Sequence, residues 1–239
     1  HPWIHSETAV KSLNFDFKSG CAAAPYRRRV VSFGQALRQQ RDLFDEINHR
    51  VKNTLGTVQS IARLSRASAG DVDQYVAAFE GRILALSEAY NLLTENNWVG
   101  ADVTAIVHRT PAPYAGPDRL TISGPGLLLP PKLTLALSAA IQELSTNAAK
   151  YGAFSTPSGK LDIAWTGDES GVVRLVWIET DGPLVRKPTR RGFGTKMIMG
   201  MFGSEAGRSV DLDFDPRGLR CTMQFRVGNE ERNKVRLTG

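Results

Sequence analysis

The sequence predicts an α+β fold in two parts: a two-helix antiparallel hairpin, then a domain that mixes helices and strands. Two observations predict it. Between about Gln35 and Trp98, apolar residues recur three and four positions apart, as on one face of a helix. Beyond Gly100, short runs alternate apolar and polar residues, as strands do. The 239 residues suffice for one or two domains, and their composition excludes a disordered or collagen-like chain.

The helical part contains two seams of apolar residues. The seam of the first helix consists of Phe44, Ile47, Val51, Leu55, Val58 and Ala62. A loop is expected at 65–70, and Asp71 is a predicted N-cap for the second helix. The seam of the second helix consists of Val72, Val76, Phe79, Ile83, Leu86, Tyr90 and Leu93. A short loop between two such helices predicts an antiparallel hairpin that packs against a second hairpin or another domain.

The second part has strands on both sides of a long apolar helix. That helix is predicted over 132–151, with prolines in its first turn. Strands are predicted around 119–122, 161–165, 173–177, 210–214 and 221–225. The segment 180–194, rich in Gly, Pro and Arg, is expected to be a loop, followed by a short helix at about 195–203.

Charge and cysteine usage limit the setting. A net charge of +6 suits an anionic partner, whether a nucleotide, a nucleic acid or a membrane surface, without choosing among them. Cys21 and Cys221 lie too far apart for a zinc motif and are most simply reduced thiols in a cytosol. No apolar run is long enough for a transmembrane helix, and no signal peptide is evident. Because the chain begins with His1 and not Met, we interpret it as part of a longer protein.

His49 is the first candidate site residue. On the first helix it lies away from the apolar seam, with Asp45 and Glu46 one turn before it and Asn53 one turn after. A solvated imidazole oriented by a carboxylate suits a nucleophile or a general base. The alternative is an ordinary surface histidine.

A second group lies near the end of the 132–151 helix. Glu143, Asn147 and Lys150 are spaced four and three apart and share a face, with Tyr151 following. A carboxylate, a carboxamide and an ammonium together suit a hydrated Mg²⁺ and phosphate oxygens. The alternative is a solvated helix face with an i,i+4 pair.

Two further groups suit a nucleotide. Gly192 and Gly194 precede a predicted helix, where free N–H groups attract phosphate. The basic residues just before them, Arg186, Lys187, Arg190 and Arg191, suit a polyphosphate or form a solvated loop. Glu179 ends a predicted strand. Its carboxylate there suits a hydrogen bond from the amino group of a base; the alternative is an ordinary polar residue at a strand end.

Four of these motifs, in this order along the chain, resemble those of a known protein family. Glu46–Asn53, Glu143–Gly152, Trp177–Glu179 and Gly192–Gly194 closely resemble the HWE family of sensor histidine kinases, over roughly residues 40–227. The resemblance implies a domain order of four parts: 1–34, the end of an upstream sensor domain or a linker; 35–98, a dimerisation and histidine-phosphotransfer hairpin; 99–229, an α/β-sandwich ATP-binding domain of the Hsp90, gyrase and histidine-kinase type; and 230–239, a tail.

The resemblance also implies roles. His49 would be the phosphoacceptor, with Glu46 and Asn53 beside it, and Asn147 and Glu143 would serve Mg²⁺ and catalysis. Glu179 would read adenine, and 183–194 would be the ATP lid. The remaining nucleotide-binding residues would be Lys150, Tyr151, Gly182, Arg190, Arg191, Gly192, Gly194, Thr195 and Lys196.

Two positions depart from the family pattern. Gln142 stands where the family has a histidine, so no proton shuttle is expected there, and Asp181 stands where a glycine is common. The expected magnesium and base positions are unaffected, so we expect activity to be retained.

The resemblance further implies partners and a location. The expected partners are a response-regulator receiver domain, an upstream sensor domain and a second copy through the hairpin, with ATP and Mg²⁺ but no nucleic acid. The location implied is the bacterial cytoplasm, with the parent protein tethered to a membrane if its N-terminal part provides an anchor. Two alternatives remain: a degenerate phosphotransfer module with an inactive ATP site, and a basic nucleic-acid-binding protein, although no motif of the latter is recognisable.

Overall fold

The computed structural model describes residues 24–116, 118–185 and 208–228. The helices are α1 (Ala24–Ser68), α2 (Val72–Glu95), α3 (Val103–Arg109) and α4 (Pro131–Lys150), with a 3-10 turn at Ala153–Ser155. The strands are β1 (Ala101–Asp102), β2 (Leu120–Ser123), β3 (Leu128–Leu129), β4 (Lys160–Gly167), β5 (Val172–Thr180), β6 (Ser209–Asp215) and β7 (Gly218–Arg226). The predicted α+β fold is confirmed.

The two long helices meet at the predicted cap. The Asp71 carboxylate accepts the Gln74 N–H at 2.8 Å, and the Gln74 side chain in turn accepts the Gly70 N–H at 3.1 Å. This is a reciprocal arrangement like a capping box, and it fixes the start of α2. The first helix was predicted too short at both ends. It is helical from Ala24 and continues to Ser68. Ser65, expected in a loop, is buried, and its hydroxyl accepts a hydrogen bond from Arg82.

The two seams differ in how they are covered. Phe44, Ile47, Val51 and Leu55 of α1 are exposed. The α2 seam becomes buried only towards its end, around Leu93. Helix α2 packs on α4 within the unit Val58–Gly239, so packing of the helical part against a second hairpin or another domain stays a prediction.

The main sheet has the strand order β2-β4-β5-β7-β6. Strand β2 runs parallel to β4, and the other neighbouring pairs are antiparallel. Strands β1 and β3 form a separate antiparallel pair. In β4 and β5 every second side chain is buried, as expected when one face of a sheet covers a core and the other meets solvent.

The core lies between that face of the sheet and helices α3 and α4. It contains Ile106 of α3, side chains of α4 (Leu133, Leu137, Ile141, Leu144), of β4 (Leu161, Ile163, Trp165), of β5 (Leu175, Trp177) and of β7 (Cys221, Met223, Phe225). Helix α4 therefore lies directly over the sheet. This packing fixes the position of the end of α4 relative to the end of β5.

Several predicted segments lie partly or wholly outside the described residues. The predicted helix at 195–203 is outside them, and of the predicted 180–194 loop only the first residues are described, without helix or strand after Thr180. By internal contacts the chain divides into compact units at His1–Thr57 and Val58–Gly239. The domain boundaries near residues 34, 98 and 229 stay predictions. Among the helices described, none is both long and apolar enough to cross a membrane.

Candidate active site

The end of α4 and the end of β5 meet at Gly152. The Gly152 N–H donates to the carbonyl oxygens of Asn147 and Ala148, both at 3.1 Å, as the helix ends. A Cβ at this position would overlap the Glu179 carboxylate, so only glycine leaves room for that carboxylate. Two motifs that are far apart in the sequence, one ending at Gly152 and one at Glu179, are thus brought together.

The Glu179 carboxylate is buried and held at both oxygens. Oε2 accepts the Ala153 N–H at 2.8 Å, and Oε1 accepts the Trp177 indole N–H at 3.0 Å. Burial raises the pKa of Glu179, and these two hydrogen bonds act against that shift by favouring the charged form. A buried carboxylate with part of its acceptor capacity still unused suits a ligand that donates a hydrogen bond.

The loop after α4 is fixed by a residue that the sequence did not single out. The Arg119 guanidinium donates to the carbonyl oxygens of Gly159 at 2.7 Å, Ala153 at 2.9 Å and Thr156 at 2.5 Å. Its guanidinium carbon also lies 5.3 Å from the centre of the Phe154 ring. Arg119 therefore fixes the loop whose Ala153 N–H binds Glu179. No local sequence pattern indicates this, because the loop lies more than thirty residues away.

The structure explains the unusual aspartate after β5. Asp181 has a φ of 57°, in the left-handed region where glycine is preferred and Asp is tolerated. Its carbonyl oxygen accepts the hydroxyls of Thr156 at 3.2 Å and Ser158 at 3.1 Å. The next residue, Gly182, lies against Ala153, where a Cβ would be 3.0 Å from the Ala153 Cα. Aspartate in place of glycine is thus compatible with this turn.

Glu143 does not lie on a solvated face, so that alternative is wrong for this residue. It is buried, and Arg82 of α2 donates to both of its oxygens, from Nε at 2.5 Å and from Nη2 at 3.1 Å. The Arg82 Nη1 also donates to the Ser65 hydroxyl at 2.8 Å. Sequence reasoning missed Arg82, since its partner lies 61 residues away.

The other residues of α4 become more exposed along the helix. Asn147 is half-buried, while Lys150 and Tyr151 are exposed. Gln142 donates to the Thr146 hydroxyl at 3.3 Å, and its amide nitrogen lies 3.8 Å from where a Cβ at Gly81 would be. The position at which the family has a histidine therefore lies beside α2.

The oxygen donors of α4 suit Mg²⁺. This ion takes one or two protein oxygens and completes its shell with water and phosphate. Asn147 offers an amide oxygen of this kind, whereas the Glu143 carboxylate is already bound by Arg82. The described residues contain no cluster of three or more His, Cys, Asp or Glu. A magnesium site that includes substrate phosphates does not need such a cluster.

Around His49 the described side chains of Asp45, Asn53 and His49 itself are all exposed, as predicted for His49. The side chain of Glu46 lies outside the described residues. So do the predicted nucleotide-binding residues Arg190, Arg191, Gly192, Gly194, Thr195 and Lys196.

Comparison with known proteins identifies the family. Residues 46–126 match the HWE histidine kinase family. A blue-light-activated histidine kinase of Brucella ovis is 38% identical over 181 residues, which is 73% of this chain and 37% of that protein. Its counterpart in Brucella anthropi is 36% identical over 179 residues, 73% of this chain and 36% of that protein. The chain therefore spans little more than a third of the length of these curated relatives.

Solved structures agree on the fold. The blue-light activated histidine kinase of Erythrobacter litoralis has a TM-score of 0.58 at 17% identity, covering 80% of this chain and 59% of that one. Its histidine kinase domain alone has a TM-score of 0.56 at 15% identity, covering 74% and 88%. The sequence motifs, the α+β fold and these matches lead to one conclusion: the chain belongs to the HWE family of histidine kinases.

Proposed function

We propose that this chain is the kinase part of a sensor histidine kinase, which transfers the γ-phosphoryl group of Mg-ATP to His49 and then to an aspartate of a response regulator. One observation carries the nucleotide part of this proposal. The end of α4, with Asn147, and the end of β5, with Glu179, meet at Gly152, and the carboxylate there is buried and held. Membership of the histidine kinase family supports the rest.

In this proposal Glu179 accepts a hydrogen bond from the 6-amino group of adenine. A carboxylate that accepts from a neutral amino group makes a strong, charge-assisted hydrogen bond. Gly182 keeps the neighbouring backbone close, and Lys150 and Tyr151, both exposed at the end of α4, are assigned to the nucleotide as well. The phosphates are assigned to Arg190, Arg191, Gly192, Gly194, Thr195 and Lys196.

Asn147 would hold Mg²⁺, with Glu143 beside it. When bound, the ion neutralises charge on the phosphates and orients them. A His49 nitrogen attacks the γ-phosphorus, the bond to the β-phosphate oxygen breaks, and ADP leaves. Glu46 or Asp45 orients the imidazole or accepts its proton, and Asn53 lies one turn beyond. The protein contributes mainly by positioning and charge neutralisation.

The proposed partners follow from the family. A receiver domain takes the phosphoryl group, an upstream sensor controls the kinase, and a second copy packs through the hairpin. The exposed apolar side chains Phe44, Ile47, Val51 and Leu55 support an interface on α1. ATP and receiver domains belong to the cytoplasm, which is where we propose that this part of the protein works.

The test is phosphorylation by radiolabelled ATP with Mg²⁺. We expect label on the wild type that is stable in base and lost in acid, as for a phosphoimidazole. His49→Ala should abolish the label and leave nucleotide affinity unchanged. The matched control is His108→Ala, which removes an exposed histidine of α3 and should leave labelling intact.

Two outcomes would contradict the proposal. Label that persists in His49→Ala would exclude His49 as the acceptor. A wild type that binds no nucleotide but accepts phosphate from another phosphoprotein would favour the degenerate phosphotransfer module.

A further inference from the structure

Trp177 and Glu179 point to the same face of β5. Residues two apart on a strand share a face, and both side chains lie on its buried side, where Trp177 is fully buried and Glu179 is 4% exposed. The indole Nε1 lies 3.0 Å from Glu179 Oε1. The tryptophan therefore packs in the core with its ring and also supplies a donor to the candidate site.

The Glu179 carboxylate needs such a donor because its stem is flexible. A glutamate side chain has three rotatable bonds, and fixing it costs conformational entropy. Here a separate N–H holds each oxygen: the Ala153 N–H holds Oε2, and the Trp177 N–H holds Oε1. Since each carboxylate oxygen accepts more than one hydrogen bond, the group is fixed while acceptor capacity remains for a ligand.

A second tryptophan shows that an indole in this sheet need not point to the site. Trp165 of β4 is also buried, but its N–H donates to the Pro125 carbonyl oxygen at 2.9 Å, in the loop after β2. Both tryptophans are buried in the same sheet, and they differ in the acceptor of the indole N–H. This difference makes Trp165 a matched control.

We infer that Trp177 is a positioning residue for base recognition, whose indole N–H holds the Glu179 carboxylate where it accepts the exocyclic amino group of adenine. The inference rests on the proposed adenine-reading role of Glu179. It assigns Trp177 a part in choosing among purines, beyond its packing in the core.

The test compares two nucleotides on three proteins. Wild type, Trp177→Phe and Trp165→Phe are titrated with ATP and with purine riboside triphosphate, which lacks only the 6-amino group, by displacement of a fluorescent ATP analogue. We expect Trp177→Phe to lose about tenfold in affinity for ATP, the effect of one poorly placed hydrogen bond to a charged group. Its affinity for purine riboside triphosphate should change little, and Trp165→Phe should keep the wild-type preference for ATP.

A purely structural role gives a different result. If Trp177→Phe weakens both nucleotides equally, or changes the preference no more than Trp165→Phe does, the inference is wrong. Should Trp177→Phe fail to fold, site-specific replacement of Trp177 by benzothienylalanine keeps the ring shape and removes only the N–H donor. The same loss of preference is expected there, and an unchanged preference would overturn the inference.

The variant Glu179→Gln distinguishes failure of the inference about Trp177 from failure of the proposed adenine-reading role of Glu179. If the wild type prefers ATP and Glu179→Gln removes the preference while Trp177→Phe keeps it, Glu179 reads adenine and the inference about Trp177 is wrong. If Glu179→Gln leaves the preference unchanged, the adenine-reading role itself is wrong.

Discussion

Arg82 of α2 binds both carboxylate oxygens of Glu143 on α4, and both side chains are about nine-tenths buried. Glu143 is also the residue to which we assign a place beside Mg²⁺. In this arrangement its negative charge is already compensated by a cation from a different helix. In its proposed role, Glu143 would therefore share its carboxylate between Arg82 and the nucleotide site.

The first prediction concerns the strength of this pair. Arg82→Ala leaves a buried carboxylate without its cation, which costs about 3–5 kcal/mol of unfolding free energy. Arg109→Ala is the control, because Arg109 pairs with Glu88 and Glu95 at the surface, where a pair contributes about 0–1 kcal/mol. Urea unfolding measures both variants. Equal losses would show that burial of the Arg82 pair has no special effect.

The second prediction is a pH dependence caused by Glu179. Burial raises the pKa of this carboxyl in the folded protein, so the folded state keeps the proton at pH values where the unfolded state has lost it. Stability is therefore lost as pH rises from the ordinary glutamate pKa, about 4.3, through the raised folded pKa. Above that window the loss is complete.

Unfolding free energies of wild type and Glu179→Gln across that pH range test the sign. The unfolding free energy of the wild type should fall relative to that of Glu179→Gln as pH rises. Glu80→Gln, which removes an exposed carboxylate from α2, is the control for charge alone. If the unfolding free energy of the wild type instead rises relative to that of Glu179→Gln with rising pH, the expected direction is wrong.

The third prediction concerns Arg119. Arg119→Met removes the donors to three carbonyl oxygens of the loop after α4, and we expect a loss of about 1.5–3 kcal/mol together with faster amide exchange at Ala153. Nucleotide affinity should fall too, since that amide holds Glu179. Arg217→Met is the control, because Arg217 is exposed and binds Asp215 within a surface turn. Unchanged exchange over 152–159 would exclude this role for Arg119.

The fourth prediction concerns the thiol of Cys221. Burial, aided by the charge of Asp211, raises the pKa of Cys221 to about 12 from 9.0. Because the thiolate is the reactive form, three pH units correspond to about a thousandfold less thiolate at pH 8. In a Cys21→Ser background, alkylation by N-ethylmaleimide should be slow until denaturant opens the sheet. Labelling of the native protein at the rate of a free thiol would contradict the burial.

Local signals in the sequence predicted much of the fold. The Asp71 cap and the alternation in β4 and β5 were read correctly, because a cap and a strand face are properties of neighbouring residues. Helix α3 was missed, since seven residues are too few to show a helical period, although Asp102 caps it by accepting the Thr104 N–H at 2.7 Å.

The candidate site was predicted only in part. Motif order identified Glu143 and Glu179, but it did not show that the first is bound by Arg82 or that the second is held by Trp177 and Ala153. Partners such as Arg82 and Arg119 come from other elements, so only the folded chain reveals them. The motif itself contained Trp177, yet its spacing alone did not indicate that the indole N–H donates to Glu179.

His49 lies in a long stretch of α1 whose apolar side chains are exposed. A helix of 45 residues is about 68 Å long at 1.5 Å per residue. Ile61 and Ser65, near its end, are buried, whereas Leu37, Phe44, Ile47, Val51 and Leu55 are exposed. Helices without tertiary support are marginal in water. Any surface that covers this stretch therefore also stabilises the helical form around His49, so the order of the segment around His49 is thermodynamically linked to the occupancy of that surface.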